Sequence, residues 1–391
     1  MKKVYYICLL TCLGFMAQAQ SNIEQILQSI KQNNVTLNAL RESAAAEKIG
    51  NKTGLTPSNP EVELGYLWGS PADIGARKDL SITQEFDFPT AYRYKSQLSK
   101  GMNRQVDIVL RQQEREILSE ARGYCVELIY RNRLNDELAK RKMYAEKLAT
   151  SYESLFEKGE INIIEYNKTK LNRLKIEKDL ELNKVDIATL EAELKRMNNE
   201  QPLPASADRY EEYLLPKDFK EWSAEAKANN PMLLAASQEV ELSRKQEQLT
   251  KAMNLPKITT GYVSERIQGT TQQGIMLGMS IPLWENKNTL RHRKAQTITM
   301  QSIQHDTEQQ YNITLRTQYD KANKLSAMLE DYKQILHTSN NEALLDKAFE
   351  QGQLSLINYL LELSEYYDTV ERYLETERDY HQAVNILRME E

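Results

Sequence analysis

Phe156-Glu157-Lys158-Gly159-Glu160-Ile161-Asn162-Ile163-Ile164-Glu165-Tyr166 returns later in the chain as Phe349-Glu350-Gln351-Gly352-Gln353-Leu354-Ser355-Leu356-Ile357-Asn358-Tyr359, an offset of 193 residues. A second pair of markers, Lys31-Gln32-Asn33-Asn34 and Lys227-Ala228-Asn229-Asn230, is offset by 196, with Leu37 and Ala39 matching Leu233 and Ala235. Two offsets this close imply one tandem duplication with a small insertion between the markers. A unit of this length is a folded half-molecule, not a short solenoid repeat. The repeats cover about residues 22–200 and 219–391, and Pro202, Pro204 and Pro216 mark a linker over about 201–218.

Each copy of the motif ends one long helix and precedes another. Residues 92–156 hold no proline and only two glycines. Val109, Ile117, Ala121, Tyr124, Leu128, Asn135 and Leu138 fall mostly three, four or seven apart, as do Leu315, Tyr319, Ala322, Leu325, Leu329, Tyr332 and Leu336 within residues 288–349. This is the seam of a coiled-coil-like helix, and sixty-odd residues at ~1.5 Å each predict a rod of about 90 Å. Glu and Lys fill the other faces, as a solvated rod requires. Gly159 and Gly352 supply the left-handed conformation that commonly stops a helix. Second helices are predicted over residues 161–197 and 354–387, and shorter ones over 23–52 and 222–253. Each half is thus expected to carry a long antiparallel helical hairpin.

The helical pattern fails at two corresponding places, about residues 61–89 and 257–283. Each reads as a β-hairpin with period-two alternation. In the first, Leu80, Ile82, Phe86 and Phe88 share a face interrupted by Gln84, while Asp79, Ser81, Thr83, Glu85 and Asp87 share the other. In the second, the predicted strands are 257–263 and 275–282, joined by a Gly/Thr/Gln loop; Ile275, Leu277, Met279, Ile281 and Leu283 oppose Gly278 and Ser280. Tyr66, Trp68, Tyr262 and Trp284 lie at or near strand ends. Apolar outside, polar inside and aromatic at the interfaces is the pattern of membrane β-barrel strands. Two half-buried hairpins of a soluble sheet would alternate in the same way. The leader, the paired placement and the long rods favour the membrane. Four strands cannot close a barrel, and lipid does not tolerate open edges. Three copies would give twelve strands, an even number within the known range.

The chain opens with Lys2 and Lys3, an apolar run from Val4 to Ala17, and Ala17-Gln18-Ala19, an A-x-A signal. This predicts a secretory signal peptide over 1–19 and a mature chain over 20–391. Leu10-Thr11-Cys12 faintly resembles a lipoprotein processing site. The leader's removal leaves 49 basic against 56 acidic residues, a net charge of −7, which disfavours nucleic acid as a partner. It also leaves one cysteine, Cys125, in a helical context where a small core residue fits, so no intramolecular disulfide is expected.

Taken together, the duplication, one β-hairpin per half, two long helical hairpins and the Gly-x-hydrophobic-x-hydrophobic-hydrophobic tips resemble the TolC-type outer-membrane efflux channels across essentially the whole mature sequence. The resemblance implies a mainly α fold with a small β part. Long helical hairpins would form a periplasmic α-barrel, and four strands per protomer would enter a shared, trimeric, twelve-stranded β-barrel in the outer membrane. It implies partners too: two further copies in a homotrimer, outer-membrane lipid, a periplasmic adaptor (membrane fusion) protein, and an inner-membrane pump of the RND type. Adaptor docking would fall on the tips, at Lys158, Gly159, Glu160 and Ile161 and at Gln351, Gly352, Gln353 and Leu354. The other reading of these tips is a plain turn whose apolar residues pack one hairpin on its neighbour. Glu165 and Asn358 match positions where family members often carry an acid near the tunnel constriction, although Asn358 is not an acid. Ser81-Ile82-Thr83-Gln84-Glu85-Phe86-Asp87-Phe88-Pro89 is most similar to the heavy-metal-efflux branch, but Thr90-Ala91-Tyr92-Arg93 replaces that branch's Gly-Lys-Arg. Drugs or bile-salt-like amphiphiles are the alternative substrates.

Glu63, Asp79, Glu85 and Asp87 are read as facing the barrel lumen. Tripled, they would form acidic rings favouring cations, though any wet lumen needs polar residues. His292, His305, His337 and His381 are far apart with no metal-ligand spacing, and no nucleophile elbow, P-loop or dinucleotide fingerprint occurs. No enzyme, cofactor or metal site is expected. The function implied is a passive exit duct, and a soluble periplasmic coiled-coil scaffold or adaptor is the alternative.

Overall fold

The computed structural model describes residues 22–338 and 341–389. The expected leader, its cleavage site and Cys12 lie outside the described residues. Along the chain run α1 (Asn22–Asn33), α2 (Val35–Gly50), β1 (Glu61–Trp68), β2 (Ala76–Phe86), α3 (Pro89–Glu157), α4 (Ile163–Met197), α5 (Phe219–Asn229), α6 (Pro231–Met253), β3 (Lys257–Ile267), β4 (Thr270–Ser280), α7 (Thr289–Thr338), α8 (Asn341–Glu350) and α9 (Leu356–Arg388). The protein is mainly helical with one small antiparallel sheet.

The described residues divide into two compact units, one of residues 22–34, 120–213, 335–338 and 341–378, the other of residues 35–119, 214–334 and 379–389. In the first, Tyr130, Leu134 and Leu138 of α3 pack with Leu180 of α4 and Leu374 of α9. Asn198, fully buried at the end of α4, accepts from Ser29 Oγ at 2.9 Å and Asn33 Nδ2 at 3.1 Å, and so ties α1 to α4. In the second, Tyr311, Leu315, Tyr319 and Ala322 of α7 pack with Ala226 of α5 and Ala383 and Leu387 of α9. There the Tyr319 hydroxyl donates to the Pro216 carbonyl at 2.6 Å. The second seam is buried much as its spacing predicts. In the first, Ala121, Leu128 and Leu138 are buried but Val109 is exposed, while Val106 and Ile108, which the predicted seam omits, are buried.

Several predicted boundaries shift for local reasons. The helices expected over 23–52 and 222–253 are each divided, at Asn34 and at Asn230. Asn34 is buried, and its Nδ2 donates to the Met197 carbonyl at 2.8 Å. Asn230 caps α6 by accepting the Leu233 N–H at 3.1 Å, and Pro231 lacks the N–H that a continuous helix would need. The markers of the second repeat pair are therefore helix joints. The predicted helix over 288–349 corresponds to α7 and α8, and residues 339–340 lie outside the described residues.

The strands shift as well. β2 begins at Ala76 and ends at Phe86, so Asp87 and Phe88 leave the strand. β3 continues to Ile267 and β4 starts at Thr270, so most of the expected Gly/Thr/Gln loop is strand. Gln268 and Gly269 form the turn, both left-handed at φ of 46° and 83°, as a two-residue hairpin of the I′ kind requires. The four strands form one sheet in the order β1-β2-β3-β4, because β2 pairs with β3 from Arg77↔Ile267 to Phe86↔Ile258.

Candidate functional site

Opposed residues of antiparallel strands share a face, so the register sorts the sheet into two surfaces. One carries Val62, Leu64, Tyr66, Trp68, Leu80, Ile82, Phe86, Ile258, Tyr262, Ile275, Leu277 and Met279. Its polar members are Lys78, Gln84, Thr260, Ser264, Arg266, Thr271 and Gln273. This apolar face is bare: Ile275 is 90 % exposed, Leu277 78 % and Trp68 81 %. Ile281, Leu283 and Trp284 extend the exposed apolar surface beyond β4. Burying a side chain of this size is worth about 1.5–3 kcal/mol, so a contiguous apolar face of this kind marks an interaction surface.

The opposite face holds all five acids of the strands, Glu61, Glu63, Asp79, Glu85 and Glu265, with Arg77 and Lys257 and a set of Ser, Thr, Gln and Gly residues. Leu67, Val263, Ile267 and Met276 interrupt it. A recess of about 520 Å³ lies on it, lined by Glu63, Asp79, Glu265 and Arg77 among others. The predicted lumen acids are mostly compensated. Arg77 Nε lies 2.8 Å from Asp79 and 3.1 Å from Glu265, and Lys257 lies 2.9 Å from Glu85. Asp87, expected on this face, sits in the turn into α3, where it pairs with Lys95 at 2.8 Å. Glu63 makes no ion pair among the described residues. Because Lys257 reaches Glu85 from across the strand pair, this compensation was invisible in the spacing of the acids alone.

The predicted docking residues sit at two helical tips in the first unit. At one, Gly159 (φ 75°) donates to the Phe156 carbonyl at 2.9 Å and Glu160 to the Leu155 carbonyl at 2.9 Å. At the other, Gly352 (φ 70°) donates to the Phe349 carbonyl and Gln353 to the Ala348 carbonyl, each at 2.9 Å. Lys158, Gly159, Glu160, Gln351, Gly352 and Gln353 are exposed, and Ile161 and Leu354 half-buried. Glu165 acts locally. Its carboxylate accepts the Asn162 N–H at 3.3 Å while Asn162 accepts from Ile164 and Glu165, a capping box at the start of α4. The matching Asn358 N–H donates to Ser355 Oγ at 3.3 Å.

Behind each tip lies a clamp that the sequence did not foreshadow. Phe156 stacks on Tyr166 with centroids 4.9 Å apart, and Phe349 on Tyr359 at 4.4 Å. The Tyr166 hydroxyl donates to Glu153 at 3.1 Å and the Tyr359 hydroxyl to Asp346 at 2.6 Å. Burial, with the Asp346 carboxylate second, holds the Tyr359 hydroxyl above the ordinary phenol range. Both acceptors precede their tyrosines by thirteen residues, and that equal spacing is the signal that could have revealed the clamps. Also unforeseen is the buried Arg141 of α3. It donates to Glu371 at 2.6 Å and to the Tyr367 carbonyl at 3.1 Å, and its guanidinium lies 4.2 Å from the Tyr367 ring.

No protein-family model matches the chain, and no curated protein matches it by sequence. Solved structures do match by fold. A membrane protein from Pseudomonas aeruginosa superposes with a TM-score of 0.82 at 11 % identity, over 95 % of this chain and 90 % of that one. CusC, described in connection with folding and transmembrane channel formation, gives 0.78 at 12 % identity over 95 % and 92 %. The Campylobacter jejuni CmeC outer membrane channel gives 0.75 at 11 % identity over 95 % and 85 %. The chain has the fold of TolC-type outer-membrane channels. CusC is one of several such neighbours, and the fold does not single out a branch.

Proposed function

We propose that the chain is the passive outer-membrane exit duct of a tripartite efflux system. The observation that carries this reading is the four-stranded sheet with one bare apolar face, one charged face and open edges at β1 and β4. A lipid-facing barrel wall accounts for all three features, provided that the edges pair with those of neighbouring copies. Three copies give twelve strands. The neighbours' fold supports the same architecture, and α4 supports further association: Ile164, Leu171, Leu174, Leu182 and Val185 are all exposed on a single helix. The alternative, a soluble periplasmic scaffold, leaves Ile275 and Leu277 in water.

In this reading the leader exports the chain, the sheet lies in the outer membrane and the helices extend into the periplasm. The tips around Gly159 and Gly352 receive a periplasmic adaptor coupled to an inner-membrane pump. Ile164, 71 % exposed, and Ile357, 52 % exposed, offer matching apolar contacts there. Glu165 and Asn358 stand near the tunnel constriction. The cargo is small solutes. Five acids against two bases on the inner face favour cations over anions, and the Ser81–Pro89 resemblance points to heavy-metal cations.

Growth of a deletion strain on copper, silver, zinc, cobalt and cadmium, beside dyes, bile salts and antibiotics, tests the proposal. Sensitivity to metals, restored by the gene, supports metal efflux; sensitivity to the organic panel alone moves the cargo to amphiphiles. Recovery of the protein in the soluble periplasm after cell breakage without detergent refutes the duct itself.

A further inference from the structure

Lys78 of β2 and Arg266 of β3 are direct cross-strand partners on the bare apolar face. Tyr66 and Thr271 complete their row across the sheet. Both cations are exposed. Like charges directly opposed destabilise a strand pair, and elsewhere in the sheet that kind of cost is relieved: Arg77 and Lys257 each pair with carboxylates on the other face. Lys78 and Arg266 have no carboxylate partner among the described residues. None is possible within the strands, because the apolar face contains no Asp or Glu. Asp73, in the loop between β1 and β2, forms no ion pair with either cation. Lys78 Nζ instead lies 5.8 Å from the centre of the Tyr66 ring, with Trp68 two residues further along β1.

The height of this row in the sheet matters too. Lys78 is near the hairpin ends of the strands, and the apolar band runs from there towards Phe86, eight residues or about 26 Å along the strand at ~3.3 Å each. At the ~35–45° tilt of barrel strands this rises roughly 20 Å, most of the ~25 Å apolar band of a barrel wall, whose borders carry aromatic residues. Two uncompensated cations beside aromatic rings at that border face the headgroup layer.

We propose that Lys78 and Arg266 form a binding site for the phosphate groups of outer-leaflet lipid. The inference rests on the membrane reading above. A phosphate supplies the missing counter-charge, accepts from the Arg266 fork and the Lys78 ammonium together, and comes attached to acyl chains that cover Leu64, Leu80 and Ile275 below.

The test uses the full chain extracted from membranes, with lipid retention read by native mass spectrometry against added bis-phosphorylated lipid A, dephosphorylated lipid A and inorganic phosphate. The wild-type chain is expected to retain the phosphorylated lipid and to lose it in Lys78→Gln/Arg266→Gln, which weakens binding by about 30-fold, the sum of two surface cations. Lys78→Arg/Arg266→Lys, which keeps both charges, is expected to retain it. Equal retention by wild type and the Gln variant, equal retention of the dephosphorylated lipid, or displacement by millimolar inorganic phosphate overturns the proposal. The Gln variant should still fractionate with the membrane, so loss of lipid is not loss of insertion. A wild-type chain absent from the membrane fraction defeats the duct reading instead.

Discussion

Gly261 occupies a place with no room for a side chain: a Cβ there would lie 2.7 Å from the Ile82 carbonyl oxygen and 3.0 Å from Thr83 Cγ2. The backbone of β3 can approach β2 this closely only without one. Gly261→Val is therefore expected to cost about 1–3 kcal/mol by overpacking, read as a lower melting temperature and reduced assembly. Gly278, whose Cβ would meet nothing nearer than 3.6 Å, should accept alanine with little change. Cys125 provides a second test at this scale. It is fully buried, and burial pushes its thiol up to about 12. A maleimide should leave it unlabelled in the folded protein at pH 7–8 and label it in denaturant; rapid labelling of native protein would contradict the packing. The sequence already placed Cys125 in the core, because its neighbours repeat with helical spacing. The tip clamps went unread: Tyr166 and Glu153 meet only after the chain reverses at Gly159, so their one trace in the sequence is the equal thirteen-residue spacing in both tips.

Among the elements, α3 and α9 are joined through charge as well as apolar packing. Arg141 is buried, whereas the Glu371 side chain keeps 38 % of its exposure. Glu371→Ala is expected to destabilise by about 2 kcal/mol, less than the 3–5 kcal/mol of a fully enclosed pair. Arg141→Met/Glu371→Met should regain most of that loss, and a double-mutant cycle by thermal or denaturant melting checks it. The two faces of β4 make a sharper contrast. Ile275→Arg puts a charge on the apolar face, which the proposed barrel turns to lipid, and is expected to cost about 2–4 kcal/mol and to abolish membrane assembly. Gln272→Arg, on the charged face, should assemble and alter only ion selectivity in bilayer recordings. Equal assembly of both variants would contradict the assignment of faces. Alternation made the faces of β2 and β4 readable in advance, and β1 was read with its observed bounds. The lengths of β3 and β4 were not, because Thr270, Thr271, Gln272 and Gln273 are polar enough to read as loop, yet pair with Ile267, Arg266, Glu265 and Ser264.

For the whole molecule, the order of parts was legible: a hairpin of strands and a hairpin of long helices in each half, with glycine tips at Gly159 and Gly352. Pattern alone could not say that both strand hairpins join one sheet, since β2–β3 pairing depends on contacts 172–190 residues apart, from Phe86↔Ile258 to Arg77↔Ile267. Nor could it show which charges compensate one another, as Lys257 does for Glu85. What one chain leaves open is the sheet itself, with β1 and β4 each paired on one side only. The proposed duct therefore depends on its copies, three chains closing one twelve-stranded barrel. Native mass spectrometry of the detergent-extracted outer-membrane fraction tests this most directly. A single species of three chains that dissociates only when the barrel unfolds is expected. A lone chain, or recovery of the protein from the soluble fraction without detergent, would contradict it.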